Sequence, residues 1–555
     1  MYAHRFKSVG PGSGWRAGAL FIALCVVAPI AALFWFAAQG TLDHWAHLLA
    51  YVLPTAFLDT ILLLAGVGIL VTCLGTGSAW LVTAYEFPSR RTLSWALLLP
   101  LAVPTYIVAF AYLDILHPLG PVQTLIRALL GFDNPRQFRL PDLRSLTGAI
   151  FLLGFVLYPY VYLSTRIMFS TQAASLIEAA RVLGESGRGA FFKVALPMAR
   201  PAIAVGVSLA LLETLNDIGA SEFLGVQTLT VSVYTTWVTR SDLAGASQIA
   251  LAMLAIVVAL ILLERHGRRR QRYASTIRMR PVQPRKLKGA AALAALALGW
   301  LPIVVGFVAP GLYLLGETLK HFSEAGSVSS QLISSGYNTL KISLIATVVT
   351  VVCGMIVAWT ARSIHSGAPA RLARAGARIA SLGYALPGTV LAIGLLMPLS
   401  LIDDAISGMA AQIGMPSPGL LLMGSSSALV CAYMIRFLAI SVGGIEAGLA
   451  RIPPSLEQAA RLLGETPTGT LRRIHLPLLR PAIAAAALLV FVDTMKELPA
   501  TLLLRPINFE TLATWLYAEA ARGTYEEGSV AALAIVLAGL LPVILLARTQ
   551  LKSGH

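Results

Sequence analysis

The 555-residue sequence predicts an all-α membrane protein with two tandem, parallel-oriented six-helix halves. Three observations carry this: long apolar runs, one basic break between them, and a repeat at constant offset. The composition agrees, with 57% hydrophobic and only 12% charged residues, where a soluble domain carries about 25% charged.

About twelve runs are long enough to cross ~30 Å of hydrocarbon as helices. They lie near 16–38, 57–84, 93–116, 146–167, 201–222, 247–263, 289–315, 338–360, 379–400, 419–442, 481–503 and 528–547. Backbone groups in lipid must pair within their own segment, so the runs are expected to be helical. Arg5 and Lys7 precede the first run as they would in a cleaved leader. The run from Ala17 to Ala38 exceeds a leader core, so a retained helix is expected.

With the N-terminus placed in the cytoplasm, the segments that fall inside hold most of the Lys and Arg, as the positive-inside rule requires. Both termini are then cytoplasmic. The loop 117–145 runs against the trend with Arg127, Arg136, Arg139 and Arg144. The net charge of +16 therefore reads as membrane orientation and argues against nucleic-acid binding, because the basic residues flank spans. Cys25, Cys73, Cys353 and Cys431 fall singly within spans without metal spacing. His44 and His47 have helical spacing but no third ligand, so no metal site is expected.

Residues 264–288 hold ten Lys/Arg and one acid, Glu264. This reads as a cytoplasmic linker beside an anionic leaflet. It divides a first half, 1–263, from a second, 289–555. The two halves repeat. Residues 175–203 read SLIEAARVLGESGRGAFFKVALPMARPAI, and 455–483 read SLEQAARLLGETPTGTLRRIHLPLLRPAI, without a gap. The offset of 280, from Ser175 to Ser455, also relates Glu213 to Asp493 and Asp217 to Glu497.

Each copy falls between the fourth and fifth spans of its half, within loops 170–200 and 450–480. Ser175 with Glu178, and Ser455 with Gln458, have capping-box spacing. Leu176, Ala179, Ala180 and Leu183, with Leu456, Ala459, Ala460 and Leu463, form the stripe of a short amphipathic helix. Gly184 and Gly464 are placed to end it. Pro197 and Pro201, with Pro477 and Pro481, mark a restart into the next span. The small alanines let a partner surface approach; a helix lying on its own bundle or on headgroups is the alternative. Two matched copies on one side favour docking helices for a two-fold symmetric partner.

Glu178-Ala179-Ala180, Gly184 and Val194-x-Leu196-Pro197 resemble the EAA loop of bacterial ABC importer permeases. Gln458-Ala459-Ala460, Gly464 and Ile474-x-Leu476-Pro477 repeat it. The resemblance implies the type I ABC importer fold in a bacterial inner membrane. It also implies a cytoplasmic ABC ATPase dimer seated on the two coupling helices, and a periplasmic substrate-binding protein. Gln458 departs from the family's Glu, with Glu457 one position earlier, so unequal docking contacts are expected. Gly184-x4-Gly189 and Gly464-x4-Gly469 have phosphate-loop glycine spacing, but Ala190 and Thr470 stand where lysine is needed. The chain is therefore expected not to be an enzyme and to hold no cofactor, with ATP and Mg on the partner ATPase.

Ionisable residues within spans are costly and point to function. Glu213, Asn216, Asp217 and Glu222 in the fifth span, and Asp493, Lys496 and Glu497 in its counterpart, are candidates for a polar translocation path. Local pairing of Lys496 with Asp493 or Glu497 is the alternative. Tyr158, Tyr160 and Tyr162 read as an interfacial belt or a kinked packing face.

Residues 213–237 and 493–517 resemble fused ferric-iron permeases, which implies Fe(III) delivered by a periplasmic protein. Permeases for thiamine, aminoethylphosphonate, polyamines or sulfate share the architecture. A secondary transporter of the major facilitator type also has six plus six helices, but would not carry matched EAA loops. A membrane enzyme would show a clustered catalytic set, and none is evident.

Overall fold

A computed structural model describes residues 13–40, 45–46, 48–132, 134–171, 179–180, 182–268, 284–363 and 375–552. His44, His47, Ser175, Leu176 and Glu178 lie outside them, as does linker segment 269–283. The elements are α1 Ser13–Gln39, α2 Leu48–Ala84, α3 Arg90–Ala102, α4 Thr105–Ile115, α5 Pro121–Leu130, α6 Leu146–Thr171, α7 Gly187–Asn216 and α8 Gly219–Phe223. Then follow α9 Leu229–Tyr234, α10 Leu243–Arg268, α11 Ala290–Glu324, α12 Ser330–Ser363, α13 Gly388–Gln412 and α14 Ser426–Ala450. The chain continues through α15 Pro454–Leu462, α16 Pro467–Met495, α17 Pro499–Leu504, α18 Leu512–Arg522 and α19 Tyr525–Lys552. Among the described residues, 11 helices are long and apolar enough to span, or 12 if α3 and α4 form one.

Two expected spans differ for one reason. The run 93–116 is bent by 91° between α3 and α4. The run 379–400 begins its long helix only at Gly388. At both places a proline follows an extended residue: Val103 has ψ 116° before Pro104, and Leu386 has ψ 122° before Pro387. Proline excludes helical ψ from its predecessor, and hydropathy cannot see that. The expected spans 201–222 and 481–503 also end early, at Asn216 and Met495, where short helices α8 and α17 take over.

Contacts group the chain into two compact units, residues 1–40 with 333–511 and residues 41–332 with 512–555. They do not coincide with the sequence halves. In the first unit α1 belongs with second-half helices: the Trp15 indole donates to Thr468 Oγ1 at 3.2 Å, and Thr360 Oγ1 donates to the Trp15 carbonyl at 3.2 Å. In the second unit α11 and α19 join first-half helices. Tyr313 donates to Asp114 at 2.7 Å, Tyr112 to the Val305 carbonyl at 2.8 Å, and Lys320 pairs with Glu526. Lipid tails are as apolar as leucine, so small residues and polar bonds set such pairings.

Close approach is visible where α2 crosses α6. A Cβ on Gly75 would lie 2.6 Å from Val161 Cβ and 2.8 Å from the Tyr162 nitrogen. Tyr158 and Tyr162 are fully buried beside it, and Tyr162 donates to the Ser94 carbonyl at 2.7 Å. These tyrosines form a packing face. The described strand content is one two-residue parallel bridge, Tyr85–Glu86 with Arg285–Lys286, which fastens the linker's end to the loop after α2.

Candidate functional site

The repeated loops are built alike. Gly184 and Gly464 adopt φ +88° and +82°, the left-handed region that favours glycine. The Glu185 N–H donates to the Ala180 carbonyl at 3.0 Å, and the Glu465 N–H to the Ala460 carbonyl at 3.0 Å. This is the six-to-one bond of a Schellman motif, so the glycine stop read from the sequence is present in both copies.

The start of the second helix differs from expectation. It begins at Pro454, so Ser455 sits in its first turn and not at the cap. Proline is preorganised for that first position. Capping side chains appear one element later, where sequence reading missed them. Ser186 Oγ accepts from the Gly189 N–H at 3.1 Å, and Thr466 Oγ1 from the Gly469 N–H at 3.0 Å. Thr466-Pro467 was the available signal, a capping hydroxyl before a first-turn proline.

These caps start α7 and α16 about ten residues before the expected restart. Pro197 and Pro477 therefore lie inside continuous helices, just after wide π turns at Ala190–Ala195 and Leu471–His475. A π turn is one of the devices that accommodate a break in the helical ladder. Ion pairs brace both turns: Lys193 with Glu185 at 2.8 Å, and Arg473 with Glu465.

The stripe of each short helix divides in an unexpected way. Ala180 and Ala460 are buried against the bundle, while Ala179 and Ala459 face outward. Gln458 is exposed as well. The bulky apolar residues point away from the chain, with Val182 and Leu183 at 87% and 84% exposure and Leu462 and Leu463 at 80% and 85%. Two matched loops thus present an aliphatic pair at the end of a glycine-stopped helix. Glu457 is no displaced copy of the motif acid, since it is buried and faces Arg362.

The acidic positions after the loops sort into two kinds. Asp217 and Glu497 stand where α7 and α16 break, and both are buried. The Asp217 carboxylate accepts from the Ala220 N–H at 2.8 Å, and Glu497 from the Ala500 N–H at 2.9 Å. Each thereby caps the short helix that follows. Glu497 also pairs with buried Arg436 at 3.2 Å, and nearby Tyr433 and Thr501 hydroxyls share a 2.6 Å hydrogen bond. Glu213, Asn216, Asp493 and Lys496 are half-buried. Lys496 Nζ sits 2.8 Å from Asp493, so the local pairing is formed. Glu222 accepts from Tyr517, whose ring stacks on Phe223 at 5.6 Å.

Comparison with known proteins finds the same division into two. The family model described as binding-protein-dependent transport system inner membrane component matches residues 72–273 and again 350–551. The Fe(3+)-transport system permease protein FbpB 2 of Haemophilus influenzae is 24% identical over 498 residues, 89% of this chain and 90% of that protein. A protein of Sinorhizobium fredii named as a probable ABC transporter permease protein, y4fN, is 24% identical across 90% of this chain and 88% of its own length. The sulfate transport system permease protein CysT of Escherichia coli is 26% identical over 229 residues, 40% of this chain and 79% of that protein. The chain belongs to the binding-protein-dependent transport inner membrane component family, with two copies of its domain fused.

Proposed function

We propose that this permease takes one cytoplasmic ATPase subunit on each of its two matched loops, with both termini in the cytoplasm. The observation that carries this is the pair of outward aliphatic steps, Val182-Leu183 and Leu462-Leu463, each held by the same Schellman stop. An exposed apolar pair at a fixed helix end suits a partner groove. ATP and Mg belong to that partner, because Ala190 and Thr470 stand where a phosphate loop needs lysine. Co-purification of an ATPase with the wild-type chain tests it.

The substrate proposed is ferric iron handed over by a periplasmic binding protein. The likeness to the Fe(3+) permease over 89% of the chain supports it. Asp217 and Glu497 serve as caps, so the assignment stands on that likeness and not on an acidic lining. The path is assigned to Glu213, Asn216, Asp493 and Lys496, where half-buried polar groups follow the loops in both halves. A sulfate reading draws on the shorter relative and on Lys496. Uptake of labelled iron, thiamine and sulfate is compared in a strain lacking this chain and in the complemented strain. Restoration of sulfate or thiamine uptake alone overturns the iron assignment.

A further inference from the structure

The second loop is anchored by charged groups at positions that are uncharged in the sequence of the first half. Arg362, near the end of α12, sends its guanidinium to three places. Nε donates to Glu457 Oε1 at 2.7 Å, Nη1 to the Leu449 carbonyl at 2.8 Å, and Nη2 to the Ile452 carbonyl at 2.9 Å. Leu449 is in the last turn of α14, where its carbonyl also accepts from the Ile452 N–H at 3.0 Å, and Ile452 lies just beyond the helix. One planar fork therefore ties α12, the end of α14 and the docking helix α15 together, which a lysine's single ammonium would not do.

His475 closes the set. It is fully buried, with Nε2 3.2 Å from Glu457 Oε1 and its ring 4.6 Å from that of Trp359. Among the described residues neither ring nitrogen has a partner in hydrogen-bond geometry, so the approach to Glu457 is one of distance alone. Met355, Ala358, Trp359, Ile445, Leu449 and Ile452 form the apolar wall around this point.

The positions that correspond in the sequence of the first half are uncharged. The spacing Gly75-x4-Trp80 against Gly354-x4-Trp359 sets the register of α2 on α12 and puts Thr83 opposite Arg362. Thr83 returns its hydroxyl to the Ala79 carbonyl at 2.7 Å. The offset of 280 puts Ile177 opposite Glu457 and Ala195 opposite His475. A buried ion pair contributes little net stability over apolar side chains of similar volume, and its attested use is to fix one arrangement among several.

We infer that Arg362, Glu457 and His475 are positioning residues that lock the second docking helix to its bundle, making it the stiffer of two unequal levers. Glu457 and Ala460 are the residues by which α15 sits on the bundle, and both are buried. With Glu457 held, Leu462 and Leu463 keep a fixed direction, and movement of the partner is passed on to α12 and α14. The corresponding first-half positions, Thr83, Ile177 and Ala195, offer no charge for such a lock. This rests on the proposed docking of an ATPase to the two loops.

The test is the triple variant R362T/E457I/H475A, which writes the first half's residues into the second and leaves no buried charge behind. Uptake per ATP hydrolysed is measured in proteoliposomes with the binding protein, and amide exchange is followed in 454–462 and 182–186 of the permease alone. The expected results are a complex that still assembles, an uptake-to-hydrolysis ratio lowered by about fivefold or more, and faster exchange in 454–462 with 182–186 unchanged. A ratio and an exchange pattern equal to wild type overturn the positioning role. Should the triple variant not fold, R362M/E457I is read in the same way. Absence of ATPase from the wild-type complex overturns the docking reading itself, which separates the two failures.

Discussion

Gly184 and Gly464 allow the docking geometry to be tested without disturbing the bundle. Among the described residues a Cβ at either position meets nothing within 4 Å, so a substitution acts through φ. Holding an L-residue in the left-handed region costs roughly 1–2 kcal/mol, and a β-branched residue fits there worst. Gly184→Val with Gly464→Val therefore destabilises the two stops by roughly 2–4 kcal/mol together, or roughly 30- to 1,000-fold in their joint population. Valine at these positions is expected to unwind the last turn and to turn Leu183 and Leu463 away from the proposed ATPase partner. Asparagine tolerates the left-handed region and serves as the control. Retention of the ATPase on the immobilised permease is titrated against ATPase concentration, with thermal unfolding of the permease followed in parallel. The valine pair should lose the ATPase, the asparagine pair should retain most of it, and unfolding should stay unchanged. Binding by the valine pair within twofold of wild type would refute the argument.

Other perturbations reach other parts of the molecule. Glu497→Ala strips buried Arg436 of this carboxylate and removes the α17 cap, so a loss of about 3–5 kcal/mol is expected, read as a fall in the unfolding midpoint in detergent. Glu497→Gln keeps an acceptor for the Ala500 N–H and should lose less; equal losses would remove the ion pair from the account. Gly75→Leu forces α2 off the Val161–Tyr162 backbone, and the expected result is loss of folded protein from membranes by fluorescence-detected size exclusion. Glu213→Ala with Asp493→Ala should abolish uptake while the complex stays assembled. Unimpaired uptake in that double variant takes both acids out of the path.

The sequence by itself determined most of the frame. Apolar runs gave the helices, because hydrocarbon demands internally bonded backbone whatever surrounds it. The repeat gave the two loops, and their glycines gave the stops, since a left-handed residue is a local requirement that glycine meets almost alone. What the sequence could not show was direction. Leu183 and Leu463 share one amphipathic stripe with Ala180 and Ala460, yet the leucines face outward while those alanines are buried. Asp217 and Glu497 read as path residues from the sequence, which did not show that each also accepts from the N–H three residues on. Those partners lie only three residues away, but the break that aims them depends on surrounding packing. The Arg362, Glu457 and His475 set joins positions 95 and 113 residues from Arg362 (457 − 362 and 475 − 362). No local pattern links them, and only the packing of α12 beside α14 and α15 brings the three together.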